Sequence, residues 1–119
     1  MSRNRILVVA AVLLLFAAAG GALIFATGHH QPQNLTFNLA VTGATSMRPS
    51  SLSAHVGDTL TINIASDTTG EVHLHVYDIA FNTVAGQTVS HTFKADKTCG
   101  CDIEWESTSH SLGNLTVNP

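Results

Sequence analysis

From Asn34 onward, apolar residues recur at every second position in short runs. Leu35, Phe37, Leu39 and Val41 alternate with polar or small neighbours, and Leu60, Ile62 and Ile64 alternate with Thr59, Thr61 and Asn63. Successive strand side chains point to opposite faces, so this period of two predicts half-buried strands over 34–41 and 58–66. Further strands are expected at 71–81, 87–94, 101–107 and 114–118. Turn signals separate the runs: Thr42-Gly43, Arg48-Pro49, Val56-Gly57-Asp58, Asp67-Thr68-Thr69-Gly70, Ala85-Gly86-Gln87 and Gly113-Asn114. Helical periodicity is not sustained anywhere after residue 33. About seven short strands punctuated by turns predict an all-β antiparallel sandwich over 34–119.

The pattern before this is different. Ile6 to Thr27 carries no charge, and at about 1.5 Å per residue the segment is about 33 Å long, the thickness of a bilayer's hydrocarbon core. Residues 6–27 are therefore expected to be one transmembrane helix or an uncleaved signal segment. Arg3 and Arg5 precede it, which places residues 1–5 in the cytoplasm and the domain outside it, periplasmic or extracellular, in a single-pass cell-membrane protein. Ala17-Ala18-Ala19 fits the alternative, a cleaved secretory signal. The apolar run continues through Gly20 to Phe25, which favours the anchor. Residues 28–33, with His29, His30 and Pro32, read as a linker.

Charge narrows the partners. From His29 onward three basic residues (Arg48, Lys94, Lys97) face all eight Asp and Glu, a balance of −5 with histidines neutral. With no basic stripe to follow phosphates, nucleic acid is not an expected partner. Catalysis finds no support either: there is no nucleophile elbow or phosphate-cradling glycine loop, and Glu104 and Glu106 form no acid–base pair without a pocket. An enzyme is not expected.

Seven histidines are many for so sparsely charged a chain. His73 and His75, separated by Leu74, should project from one face of a strand, leaving two adjacent imidazoles that either hold a metal or sit on a solvated sheet. His91 alternates with Val89 and Phe93 and is expected to face the core, as is Trp105. Met47 and His55 read as loop residues. Cys99-Gly100-Cys101 leaves three alternatives: a disulfide, which a compartment outside the cytoplasm favours, free thiols, or a soft-metal pair for Cu(I).

The His73-Leu74-His75 strand followed by Tyr77-Asp78, the Gly57-Asp58 turn, Phe93-Lys94-Ala95-Asp96 and the closing Leu112 to Pro119 together resemble a cupredoxin-like domain. The likeness is to small exported bacterial members with a His-x-His strand, and it spans residues 34–119. It implies a Greek-key β-sandwich and copper. In blue-copper members the strand after the Ala-Asp turn ends in Cys, followed by His and then Met. Here Trp105 or Glu106 stands at the thiolate position, His110 lies close to the second His position, and Ser111 or Leu112 replaces Met. A blue type 1 centre is therefore not expected. What the resemblance leaves is an imidazole site of His73, His75 and His110, for Cu(II), or for Zn(II) with a water, with Asp78, Glu104 and Glu106 as supporting carboxylates. The expected function is copper binding through histidines, in copper handling or electron transfer, with a redox or copper-delivery protein as partner. The alternative is a metal-free sandwich serving as a structural or interaction module.

Overall fold

The computed structural model describes residues 30–119; the expected membrane segment at 6–27 lies outside the described residues. Pro32–Pro119 forms one unit, built from nine strands: β1 (Asn34–Thr42), β2 (Ser46–Arg48), β3 (Ser51–His55), β4 (Thr59–Ser66), β5 (Gly70–Leu74), β6 (Ile79–Thr83), β7 (Thr88–Lys94), β8 (Cys99–Trp105) and β9 (His110–Asn118), with a single 3-10 turn at Glu106–Thr108. They form a four-stranded sheet ordered β2-β1-β4-β7 and a five-stranded sheet ordered β3-β9-β8-β5-β6. Both are mixed rather than wholly antiparallel, because β1 runs parallel to β4 and β3 parallel to β9. Between β2 and β3, across a cis Arg48–Pro49 bond, the chain passes from one sheet to the other.

The alternation in the sequence is what closes the sandwich. Leu60, Ile62 and Ile64 of β4 face Val72 and Leu74 of β5, Phe81 of β6, Ile103 and Trp105 of β8, and Leu115 and Val117 of β9 in one buried cluster. Each such side chain contributes roughly 1.5–3 kcal/mol on leaving water. Packing is tight enough to demand glycine at two places: a Cβ on Gly70 would lie 2.3 Å from the Trp105 ring, and one on Gly113 would lie 2.2 Å from the Ser50 carbonyl oxygen.

Asp58 is the polar staple of the opposite kind. It is fully buried, and its two carboxylate oxygens accept the backbone N–H groups of Gln33 and His55 at 2.9 Å each. Its own carbonyl accepts from Ala95, whose carbonyl accepts from Gly57. Gly57, at φ +102°, makes the turn that only glycine adopts without strain.

Several elements depart from the periodicity. The expected 71–81 strand is a hairpin, β5 and β6, joined by a four-residue turn at His75–Asp78 in which Val76 and Asp78 have positive φ. The strand at 101–107 ends at Trp105, and the last strand begins at His110 rather than 114. Met47 and His55 lie on β2 and β3, too short and too serine-rich to show a pattern. His91 faces inward as expected, opposite Ile62 and with its ring edge-on to Phe81 at 4.9 Å, but β7 is an edge strand and His91 stays exposed. Trp105 is core, as expected.

Candidate metal centre

On the five-stranded sheet β5 lies between β6 and β8, with His73 directly opposite Glu104. Val72, Leu74, Ile103 and Trp105 point inward, so His73 and Glu104 point outward. His75 follows on the same face: its N–H donates to the Asp102 carbonyl at 3.0 Å, continuing the ladder one step past the strand end. The turn after His75 brings Asp78 back over His73, and the 3-10 turn after Trp105 brings in Glu106.

The result is a group of four, His73, His75, Glu104 and Glu106, whose potential donor atoms all lie within 4.8 Å of one another. The two imidazoles meet edge to face, with centroids 4.5 Å apart. His75 Nε2 lies 2.7 Å from Glu104 Oε1 and His73 Nδ1 lies 3.6 Å from Glu106 Oε2. Side-chain exposure is 16% for His73 and 15% for Glu104, against 41% for His75 and 48% for Glu106. One half of the group is sheltered and the other is open to solvent.

Two atoms decide what this arrangement can do. His73 Nδ1 and His75 Nε2 are buried and have no hydrogen-bond partner; among the described residues they are the buried side-chain nitrogens and oxygens of which this is true. The short His75–Glu104 approach therefore lacks hydrogen-bond geometry, so it is a close meeting of two donor atoms. Buried polar atoms are ordinarily satisfied. Two ring nitrogens without hydrogen-bond partners, converging on two carboxylates, are the exception that a bound cation removes.

The other nitrogen of His73 shows how the ring is set. Nε2 lies 2.7 Å from Asp78 Oδ1; as the N–H donor to that carboxylate it leaves Nδ1 with its lone pair directed into the group. A carboxylate behind an imidazole fixes the tautomer and raises the basicity of the ligand nitrogen. The hydrogen bond to Asp78, helped by the negative charges of Glu106, Asp78 and Glu71, holds His73 above the usual histidine pKa against the opposing effect of burial.

His110 is not brought to this group. β8 and β9 slip register between Ile103 and Glu104, so Ile103 pairs with Gly113 but Glu104 pairs with Ser111 and Trp105 with His110. Paired residues share a face, so His110 follows Trp105 to the inner side and its Nε2 meets the Thr45 carbonyl at 3.0 Å. Glu104 and Glu106, expected as outer carboxylates, stand instead among the direct donor candidates. Asp78 meets His73 on the ring nitrogen that faces away from the group. Cys99 and Cys101 are joined in a disulfide, so the chain has no free thiol.

No protein-family model and no curated protein matches the sequence. Solved structures do. The chain superimposes on the apo form of a copper-binding protein solved by NMR, with a TM-score of 0.61 and 9% identity over 75% of this chain and 92% of that one. Auracyanin A, a "blue" copper protein of Chloroflexus aurantiacus, aligns with a TM-score of 0.53 and 15% identity over 71% and 99%. The fold is cupredoxin-like. A chain of a heme-copper terminal oxidase dimer also aligns, with a TM-score of 0.57 and 13% identity over 98% of this chain and 99% of that one.

Within this cupredoxin-like domain the donor set is two imidazole nitrogens and two carboxylates. Imidazole suits copper and zinc, and a nitrogen–oxygen set without sulfur suits Cu(II) in a tetragonal field. Both cysteine sulfurs are held in the Cys99–Cys101 disulfide. The residues fit a divalent ion, and the two orphaned nitrogens are the observation that says so.

Proposed function

We propose that this is an exported, membrane-anchored cupredoxin-like protein that binds copper(II) through His73 and His75, completed by Glu104 and Glu106, and serves in copper handling. The carrying observation is the pair of buried nitrogens, His73 Nδ1 and His75 Nε2, that have no hydrogen-bond partner and face the carboxylates of Glu106 and Glu104. Copper(II) stands above the other divalent first-row metals for such donors, with zinc as the competitor. The half-open side formed by His75 and Glu106 suits loading and release better than a permanently enclosed redox cofactor. That argues for a binding protein rather than an enzyme.

The anchor at 6–27 and the location of the domain outside the cytoplasm are part of the same proposal. The end-to-end alignment with a chain of a terminal oxidase supports a partner among membrane electron-transfer proteins, to which copper or electrons would pass. The test is copper(II) titration of the full chain followed by electron paramagnetic resonance. Stoichiometric binding with coupling to two imidazole nitrogens, and without an intense thiolate-to-copper absorption, is expected. A chain that takes up no stoichiometric copper, or whose signal survives in the doubly substituted His73→Ala/His75→Ala protein, overturns the reading.

A further inference from the structure

The disulfide lies in the strand that supplies Glu104, and both ends of its segment are tied to the turn that supplies His75 and Asp78. On one side, Tyr77 Oη donates to the Lys97 carbonyl at 2.6 Å and accepts from the Lys97 N–H at 3.1 Å, while the Lys97 ammonium lies 5.0 Å over the phenol ring. On the other, the Asp102 carbonyl accepts the His75 N–H. Lys97 to Asp102 and His75 to Tyr77 are thus the two sides of one hydrogen-bonded ring, and Cys99–Cys101 closes a tighter ring inside the first side.

Residues two apart in a regular strand have Cα atoms about 6.6 Å apart. Cys99 and Cys101 are 5.3 Å apart, within the usual range for a bridged pair. The bridged pair is thus about 1.3 Å closer than residues two apart in a regular strand. Along its other edge the segment pairs with β9 from Cys99 to Ile103, so the side on which a change at the bridge can be passed on is the clasped turn at His75–Asp78. That turn holds one ligand and the carboxylate that orients another. Access favours the chemistry: Cys101 is fully buried but Cys99 is half-buried, and nothing lies within 4 Å of where a Gly100 side chain would begin.

We propose that Cys99–Cys101 is a reversible dithiol–disulfide couple that sets the copper(II) affinity of the His73–His75–Glu104–Glu106 group, the bridged form being the tight-binding one. The proposal rests on the copper reading above. Its reductant is an external dithiol. A thiolate of that dithiol attacks Cys99 Sγ, the Cys99–Cys101 bond breaks, and Cys101 leaves as a thiolate that takes up a proton. The reductant's second thiol then attacks its own sulfur in the mixed disulfide and releases Cys99. In sum the protein gains two electrons and two protons, and the dithiol departs as a disulfide.

The experiment uses the full chain and copper(II) as the probe. Oxidised wild type is titrated beside the Cys99→Ser/Cys101→Ser protein, which cannot form the bridge, and beside Tyr77→Phe, which keeps the bridge and cuts only the phenol clasp. Affinity is expected to drop at least about tenfold without the bridge, the lower end of what disturbing a ligand's supporting contacts costs, and to drop in Tyr77→Phe with the same change in nitrogen coupling. Mass spectrometry after treatment of folded wild type with a dithiol and an alkylating agent should show both cysteines labelled. Wild-type affinity in the double-serine protein, or in Tyr77→Phe where the double variant does not fold, overturns the proposal, as does a bridge that resists the dithiol until denaturant is added. Failure of oxidised wild type to bind copper overturns the underlying reading and the proposal with it.

Discussion

The outer faces of the two sheets are built to the same geometry from opposite chemistry. Across the four-stranded sheet, register places Thr36, Thr61 and Thr92 in one row and Asn38, Asn63 and Ser90 in the next. These side chains satisfy one another: the Thr61 and Thr92 hydroxyls meet at 2.9 Å, Asn63 Nδ2 donates to Asn38 Oδ1 at 2.9 Å, and Ser90 Oγ donates to Asn63 Oδ1. Across the five-stranded sheet the same kind of row reads His73 and Glu104, flanked by His75, Asp102 and Ser111. There Ser111 donates to Asp102, but two imidazole nitrogens remain unmatched. A neutral row closes on itself through hydroxyls and amides that both give and accept. Carboxylates only accept, and His73, which gives its Nε2–H to Asp78, can only accept with Nδ1 when neutral, so this row does not close on itself as the neutral one does.

The contrast can be broken from either side. Replacing His73 and His75 together by alanine should abolish the nitrogen couplings of bound copper(II), whereas Thr61→Ala with Thr92→Ala should leave them unchanged. A loss of binding from the threonine pair would mean that the two faces are not independent. Asp78→Asn keeps a residue type that tolerates the positive φ at 78 but removes the charge behind His73, and copper affinity should fall roughly tenfold, read by competition titration. An unchanged affinity would mean that Asp78 does not orient the ring.

Stability sharpens it further. Asn63→Ala cuts the tie between β1 and β7 and should cost about 1 kcal/mol in urea unfolding, with no effect on copper. Val76, exposed at 55% with φ +72°, is a β-branched residue in the left-handed region, a strain of roughly 1–3 kcal/mol. Glycine there gives back about half of that in chain entropy, so Val76→Gly should raise the melting temperature by a few degrees, about 5 °C for a net 1 kcal/mol. A fall would mean that the valine side chain contributes packing that outweighs the strain.

The smallest effect concerns acid. Asp67 is held below the usual carboxylate pKa, chiefly by the Gly43 N–H and then by the Thr68 hydroxyl. A depressed folded-state pKa means stability that is present above the unfolded value of about 3.9 and is lost as pH falls through the lower folded value. Asp67→Asn should therefore lie slightly below wild type in denaturant unfolding at neutral pH, with the gap closing below about pH 4. A gap that stays constant with pH would exclude the carboxylate as its cause.

Much of this was legible in the residues. The alternations of Leu35 to Val41 and Leu60 to Ile64 gave β1 and β4 almost to the residue, because a half-buried strand must obey a period of two. The Val56-Gly57-Asp58 signal gave the turn that Asp58 staples, and His73 and His75 share a face as their spacing requires. The misplaced histidine shows the limit. Had β8 and β9 kept one register through Glu104, His110 would lie opposite Glu106 on the outer face; the extra residue at Leu112 shifts every later pair by one and turns His110 inward. A one-residue slip inverts all faces beyond it, and nothing local in Ser109-His110-Ser111 announces it.

The covalent order of residues was enough to set the class of fold, the outward face of the histidine pair, and the absence of a thiolate from the end of β8, because these depend on side-chain parity and composition within single strands. The approach of Glu104 and Glu106 to the histidine pair, the union of Cys99 with Cys101 and the exposure of His91 were decided only by tertiary structure. They depend on register between β8 and β9, on the return of two turns over one sheet face, and on which strand is left at an edge. Those are distances between segments far apart in the chain, set by how the core packs.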